Sequence, residues 1–141
     1  MFYQLGLFCG EIFHPGDYER ELTSPNYPGN YPPNINRTWN IVGNTSSRIQ
    51  LRFVDFHLGR WRNDCKNDFL DVYADNHHVE RLCGGDGMNK KYTATRTITI
   101  VFKSNNVHNS RGFKAVYQNG KDVLSSTITF CTKAKDYSPH L

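Results

Sequence analysis

The sequence predicts an all-β fold, either a sandwich or a barrel. Several short segments, among them 49–53 and 97–102, alternate apolar and polar residues with a period of two. Clusters of glycine, proline, asparagine and serine separate these segments and are typical of turns. No segment keeps a helical period beyond about two turns. The 141 residues are enough for one domain with one hydrophobic core.

The first stretch of the chain contains one candidate strand and a turn-rich segment. Residues 9–13 are predicted to open the first strand. Residues 26–34 contain three prolines, which lack the backbone N–H that a helix needs. We expect Tyr27 and Tyr31 in this segment to pack their rings on the edge of the domain and to keep their hydroxyls in water.

The remaining strands are predicted from alternation, and each has one face that points inward. Residues 75–78 are predicted as a turn before a short strand at 79–82, and the last core strand is expected at 112–117. The inward residues are predicted to be Trp39 and Ile41, then Ile49, Leu51 and Phe53, Leu70 and Val72, Ile98, Ile100 and Phe102, and finally Phe113, Ala115 and Tyr117.

Composition limits the class of protein. The chain is 38% hydrophobic and 13% aromatic, which excludes disorder. No apolar run approaches the roughly 20 residues of a membrane span, so we expect no transmembrane segment. Residues 1–8 are apolar but too short for a full signal peptide, so we expect a domain from a longer precursor or one whose signal is already removed. The formal charge of +4 permits weak attraction to anionic partners, or a plain soluble surface.

The cysteines and two glycosylation motifs point to an extracellular address. None of the cysteines lies in a CxxC pair, which argues against a zinc ribbon or a thioredoxin motif. An even count with wide spacing suits an oxidising compartment. N-x-S/T motifs predict glycans at Asn36 and Asn44, so we expect a secreted protein or the outer side of the cell surface. The four cysteines are Cys9, Cys65, Cys83 and Cys131.

Catalytic and nucleic-acid signatures are absent from the sequence. There is no GxSxG, no HExxH and no phosphate-binding loop. His77 and His78 are adjacent, and neighbours on a strand point to opposite faces, so they are interpreted as turn histidines rather than metal ligands. Basic residues are interspersed with acidic ones. We therefore predict no enzyme activity, no cofactor and no nucleic-acid partner.

At this point the chain resembles a CUB domain. Eight matching stretches occur in the family's order across residues 9–117. One such stretch would be a weak sign of the family, but eight in the same order are specific for it. They are Cys9-Gly10, Ser24-Pro25-Asn26-Tyr27-Pro28 with Tyr31-Pro32, Trp39-Asn40-Ile41, Phe53-Val54-Asp55-Phe56, Cys65-Lys66-Asn67-Asp68, Leu82-Cys83-Gly84, Ile100-Val101-Phe102-Lys103-Ser104 and Gly112-Phe113.

The resemblance implies a two-sheet antiparallel, jelly-roll-like β-sandwich and a protein-interaction role in a secreted or cell-surface protein. It divides the chain into an N-terminal tail at 1–8, a CUB-like domain at 9–118 and a tail, or the start of a further module, at 119–141. It also implies a disulfide between Cys65 and Cys83. A loop of that length is expected to add about 3 kcal/mol on the chain-entropy model.

Two departures from the family pattern concern the cysteines and calcium. The family pairs its first cysteine with one two residues before the tryptophan, a position that Arg37 occupies here. Cys9 is therefore predicted to pair with Cys131, to bond another chain or to stay a thiol. Many family members bind Ca²⁺ through carboxylates at three positions, which are Gly59, Asp68 and Asn105 here. Asp68 alone keeps its carboxylate, so we predict no metal site.

Partner binding is assigned to surface loops at 56–66, 86–91 and 105–111. A basic and aromatic cluster in the first loop fits an acidic ligand, although the loop could also be solvated with its tryptophan covering the sandwich edge. The partner is expected to be an extracellular protein or a glycan. Two alternatives are an accessory domain that positions substrate for a secreted protease, and a spermadhesin-like binder of carbohydrate or glycosaminoglycan. The cluster comprises Arg60, Trp61, Arg62 and Lys66.

Overall fold

The computed structural model describes residues 11–16, 18–44, 46–60 and 65–120. This part of the chain contains nine β-strands and no helix. The strands are β1 (Glu11–Phe13), β2 (Arg20–Thr23), β3 (Asn36–Val42), β4 (Ile49–His57), β5 (Phe69–Ala74), β6 (His77–Leu82), β7 (Lys91–Ala94), β8 (Thr97–Lys103) and β9 (Gly112–Asn119).

The strands form two sheets that pack as a sandwich. The five-stranded sheet has the order β1-β3-β8-β5-β6, and the four-stranded sheet has the order β2-β9-β4-β7. Every pair is antiparallel except β1 with β3, where Glu11 lies opposite Trp39 in a parallel register. The predicted all-β sandwich is confirmed, and β1 is its one departure from an antiparallel arrangement among the described strands.

The core lies between the two sheets and contains every inward residue predicted from the alternation. Its centre is aromatic. The ring of Phe113 makes edge contacts with Trp39 at 5.4 Å, Phe53 at 5.7 Å and Phe102 at 5.8 Å between centroids. Such perpendicular arrangements are the favoured geometry of packed rings. The period of two thus predicts the buried face of each long strand.

Two strands, β2 and β7, were not predicted. Each has only four residues. In β2 the buried residue is Leu22, and in β7 they are Tyr92 and Ala94. Alternation over so few positions gives no usable periodic signal, and both strands form because longer strands of the same sheet pair with them.

Two predicted boundaries were wrong. His77 and His78 belong to β6, and the turn before them consists of Asp75 and Asn76, whose φ angles are 50° and 69°. Asparagine and aspartate tolerate this left-handed conformation, so two residues suffice for the hairpin. Strand β9 continues beyond Tyr117 to Asn119 because β4 pairs with it as far as Ile49.

An ion pair holds β1 where the family is expected to place a disulfide. Arg37 donates from Nε to Glu11 Oε1 at 2.9 Å and from Nη2 to Oε2 at 2.7 Å. The same guanidinium lies 5.3 Å from the ring centroid of Trp39. Two parallel hydrogen bonds between arginine and a carboxylate fix orientation as well as contact. Side-chain hydrogen bonds therefore join β1 to β3 at the position of the missing cysteine.

Candidate functional site

Three loops at one end of the sandwich meet at the side chain of Tyr31. Its hydroxyl donates to Asp68 Oδ2 at 2.5 Å and accepts from the backbone N–H of Gly59 at 2.8 Å. The N–H of Asn105 donates to Asp68 Oδ1 at 2.9 Å. The hydroxyl of Ser110 donates to the carbonyl of Gly59 at 2.8 Å. We call these five residues the Tyr31 network.

The network is buried rather than wet. Tyr31 and Asp68 are each only 1% exposed. Burial, followed by the hydrogen bond to Asp68, raises the pKa of Tyr31 above its usual value of 10.0. The hydroxyl therefore stays protonated and donates a hydrogen bond to the carboxylate of Asp68. The expectation that the Tyr31 hydroxyl faces water was wrong, because a buried carboxylate needs a donor inside the protein.

The three positions at which the resemblance implies calcium ligands all belong to this network. Gly59 has no side chain, and the Oδ1 of Asn105 accepts from the N–H of Val107 at 2.8 Å. Both oxygens of Asp68 already accept hydrogen bonds from the protein. Ca²⁺ takes about six to eight oxygen ligands, and their charge sets its affinity. One engaged carboxylate does not fit a tight calcium site.

Within the described residues, one cluster of potential metal ligands occurs elsewhere, at Cys65, Cys83 and Asp86. The two cysteines form a disulfide with their Cα atoms 5.3 Å apart. A disulfide sulfur is not the thiolate that binds a metal. The pairing implied by the resemblance is thus present, and it links the segment before β5 to the residue that follows β6.

Two residues of the predicted contact cluster, Arg60 and Lys66, lie in the part of the chain that the structure describes. Arg60 follows Gly59 directly, and both Arg60 and Lys66 are exposed. Gly59 has a φ of 64°, a left-handed conformation in which glycine carries no steric cost. Trp61 and Arg62 lie outside the described residues. The loop end thus presents two of the four predicted side chains, and their role in binding stays a prediction.

A second contact fixes the far end of the 105–111 loop. Arg111 donates to Asp55 from Nε, at 2.9 Å to Oδ2, and from Nη2, at 2.7 Å to Oδ1. The hydroxyl of Tyr27 donates to Asp55 Oδ2 at 2.7 Å. The hydrogen bond from Arg111 is the main reason that the pKa of Asp55 falls from 3.8 to about 2. Both ends of this loop are therefore tied to other elements.

The predicted glycan sites differ in exposure. Asn36 is exposed at the first position of β3. Asn44 is partly buried, and its Oδ1 accepts from the N–H of Ser46 at 2.9 Å and from the hydroxyl of Ser47 at 3.1 Å. Cys9 and Cys131 lie outside the described residues, so the pairing of these two cysteines stays a prediction.

A cluster on the outer face of the five-stranded sheet was missed by the sequence analysis. Asp71 is 5% exposed, accepts two hydrogen bonds from Arg81 at 2.8 Å and lies 3.0 Å from Nε2 of His78. Burial opposes its ionisation, but the hydrogen bonds from Arg81 and His78 outweigh burial and lower the pKa of Asp71. Only the β5–β6 register brings these residues together, so no local sequence signal reveals them.

The fold and the motifs have close counterparts among known proteins. A family-wide sequence profile of the CUB domain matches residues 9–117. Human cubilin is 34% identical over 125 residues, which cover 84% of this chain and 3% of cubilin. Human tolloid-like protein 1 is 32% identical over 114 residues, which cover 78% of this chain and 11% of that protein. The chain thus spans about a tenth or less of these relatives.

Solved structures agree with the sequence comparison. The CUB2 domain of MASP-1 bound to Ca²⁺ has a TM-score of 0.66 at 24% identity, covers 77% of this chain and is itself covered to 97%. In the described part of the chain, no helix has the length and hydropathy of a membrane span.

The family profile and the sequence relatives together confirm the resemblance inferred from the sequence motifs, and this chain belongs to the CUB domain family of extracellular interaction modules.

Proposed function

We propose that the chain is a non-catalytic module of a secreted or cell-surface protein that binds an extracellular protein through its loop end. The observation that carries this proposal is the Tyr31 network. Ser110 donates directly to the carbonyl of Gly59 and so joins the loops at 56–66 and 105–111. Tyr31 and Asp68 connect the N–H groups of Gly59 and Asn105 through hydrogen bonds. The residues that these hydrogen bonds fix before binding lose less conformational entropy when the partner docks.

The charge of this end indicates the kind of partner. Arg60 and Lys66 are exposed there, and the sequence adds Trp61 and Arg62 between them. Arginine and tryptophan are enriched among the residues that dominate binding energies. We therefore infer a partner with an acidic surface. The same cations suit a sulfated glycan, which is the alternative that the test must separate.

The test uses an array of purified extracellular domains and the full chain secreted from a host that forms disulfides and glycans. Binding is measured by interferometry. A triple variant, Arg60→Ala with Trp61→Ala and Arg62→Ala, is expected to bind its partner at least about tenfold more weakly. It should unfold at the same temperature as the parent chain. The control is Arg48→Ala, an exposed arginine before β4 at the opposite end of the sandwich.

Unchanged affinity in the triple variant would overturn the proposal. The glycan alternative would be favoured if the parent chain showed salt-sensitive retention on heparin that the triple variant lost, and if no protein domain bound.

Treatment with a glycosidase, compared with Asn36→Gln and Asn44→Gln variants, tests the proposed glycans. A chain whose mass the enzyme does not change has neither glycan.

A further inference from the structure

The outer face of the five-stranded sheet carries a cluster of rings and charges at β5 and β6. Phe69, Asp71 and Tyr73 share this face because the β5 residues between them are buried in the core. On β6, Arg81 lies opposite Asp71 and His78 lies opposite Tyr73. The ring of His78 meets the ring of Tyr73 edge-on, with centroids 5.1 Å apart. Side chains of two strands thus form one continuous surface.

The guanidinium of Arg81 is held from two directions. Its Nε and Nη2 donate to Asp71 at 2.8 Å each, and its Cζ lies 3.7 Å from the ring centroid of Phe69. Its side chain nevertheless remains 46% exposed, whereas that of Asp71 is 7% exposed. In the part of the chain that the structure describes, no group accepts a hydrogen bond from Nη1. Arg81 therefore presents a fixed donor edge to solvent.

This face has more positive than negative charge. Lys103 of β8 lies opposite Phe69, is exposed and forms no ion pair within the described residues. Both oxygens of Asp71 are engaged by Arg81. The carboxylate of Glu80 binds Lys90 across the gap to the other sheet, at 2.8 Å, so it does not neutralise this face. Lys103 and the held guanidinium of Arg81 belong to the two strands that flank β5, and two cations on one face favour an anionic partner group.

We propose that this surface is a second docking site, which takes an extracellular protein segment presenting an aspartate or glutamate beside an apolar side chain. We call it the Arg81 face. It rests on the proposed function in that the chain is a protein-binding module, but its residues belong to strands β5, β6 and β8 rather than to the loops. The face comprises Phe69, Asp71, Tyr73, His78, Arg81 and Lys103.

The residue types of the face determine what each part of the partner contacts. A partner carboxylate accepts from Nη1 of Arg81 and from Lys103. The apolar neighbour covers the exposed parts of the Phe69 and Tyr73 rings. Because Asp71 and Phe69 already hold Arg81, little side-chain entropy is lost when the carboxylate docks. Arginine and tyrosine are also among the residue types that are enriched at the hot spots of protein interfaces.

The test titrates the full chain, labelled with ¹⁵N, with two synthetic peptides. One is Gly-Glu-Leu-Glu-Phe-Gly, and the other replaces both glutamates by glutamine. We expect the acidic peptide to shift amide signals of β5, β6 and β8, and the neutral peptide to bind at least about tenfold more weakly. Equal binding of the two peptides would overturn the proposal, as would shifts confined to the loop end.

Two variants and a control separate the face from net charge. Lys103→Gln removes an exposed cation without breaking an ion pair among the described residues. Asp71→Asn combined with Arg81→Gln removes both charges together, so no buried carboxylate is left unpaired. Both should weaken binding of the acidic peptide, whereas Arg48→Gln, just before β4 of the other sheet, should not. Equal weakening by Lys103→Gln and Arg48→Gln, with no effect of the double variant, which keeps the net charge, would mean general charge attraction and would contradict the docking site.

The outcome is distinguishable from that of the proposed function. The loop variant at Arg60, Trp61 and Arg62 should leave the acidic peptide's affinity unchanged, because none of these three residues belongs to the Arg81 face. If the acidic peptide does not bind while the ectodomain array still reports binding that depends on Arg60, the docking site at the Arg81 face is rejected and the proposed function stands. If a heparin oligosaccharide shifts β5 and β6 and the acidic peptide does not, the face binds a glycan and the protein proposal is wrong.

Discussion

The hydroxyl of Tyr31 and the carboxylate of Asp68 lie 2.5 Å apart, although 37 residues separate them in the sequence. Both are 1% exposed. Through the N–H groups of Gly59 and Asn105, this pair joins three connections between strands. A buried carboxylate without donors is costly, so each of these contacts supports the others.

Replacing Tyr31 by phenylalanine should destabilise the fold. The change leaves the N–H of Gly59 and one oxygen of Asp68 without their partner. We expect the free energy of unfolding to fall by about 1–3 kcal/mol, measured by urea denaturation. Tyr27→Phe is the matched control. Its hydroxyl bonds Asp55, which Arg111 also holds, so we expect a loss of about 0.5–1.5 kcal/mol. Equal losses would contradict the special position of Tyr31.

Calcium should have little effect on stability. The ligand set at Gly59, Asp68 and Asn105 contains one carboxylate, whose two oxygens are engaged. Extracellular calcium modules bind in the range of about 10⁻⁴–10⁻³ M. At about 10 mM Ca²⁺ such a site would add more than about 1.4 kcal/mol and raise the unfolding temperature by several degrees. Calorimetry in calcium and in chelator should give the same midpoint, and a clear rise with calcium would refute the prediction.

The Asp55–Arg111 pair should contribute stability that acid removes. The pKa of Asp55 is about 2 in the folded chain against an ordinary 3.8. A lowered pKa stabilises the fold above about pH 4, and this contribution is lost as the pH falls towards 2. The free energy of unfolding of the parent chain should therefore exceed that of the Asp55→Asn variant by about 1–2 kcal/mol at pH 7. This difference should shrink as the pH is lowered.

Urea unfolding at a series of pH values measures this difference. The control is Glu19→Gln, which removes the carboxylate of an exposed pair with Arg52 at 2.9 Å. Exposed pairs contribute roughly 0–1 kcal/mol, so this difference should stay small at every pH. An Asp55→Asn difference that does not change between pH 7 and pH 2 would show that the ionised carboxylate is not the source of stability.

Peptide mapping under non-reducing conditions should recover Cys65 joined to Cys83. For Cys9 and Cys131 we predict one peptide pair that contains both. Such a pair would mean that the C-terminal tail belongs to the same covalent unit as the sandwich. Recovery of Cys9 as a thiol, or in a bond between chains, would reject this pairing.

The fold could be predicted because its signals are local. In β4 and β8 the apolar residues recur at every second position, and side chains alternate between the faces of a strand. Burying one face of Ile49, Leu51 and Phe53 requires a second sheet to cover it. The order of the motifs adds the family and, with it, the disulfide between Cys65 and Cys83. These features depend on spacing along the chain, which a sequence shows directly.

The contacts that shape the candidate sites could not be predicted in this way. Tyr31 meets Asp68, Arg37 meets Glu11 and Arg81 meets Asp71 only after strand registers and loop paths are set. Strand β7 likewise forms because it pairs with the backbone of β4. Its four residues show too little alternation to predict a strand from the sequence. The sequence by itself thus determined the sandwich, its buried faces and its family. The tertiary structure decided which polar side chains meet, because that depends on distances between residues far apart in the chain.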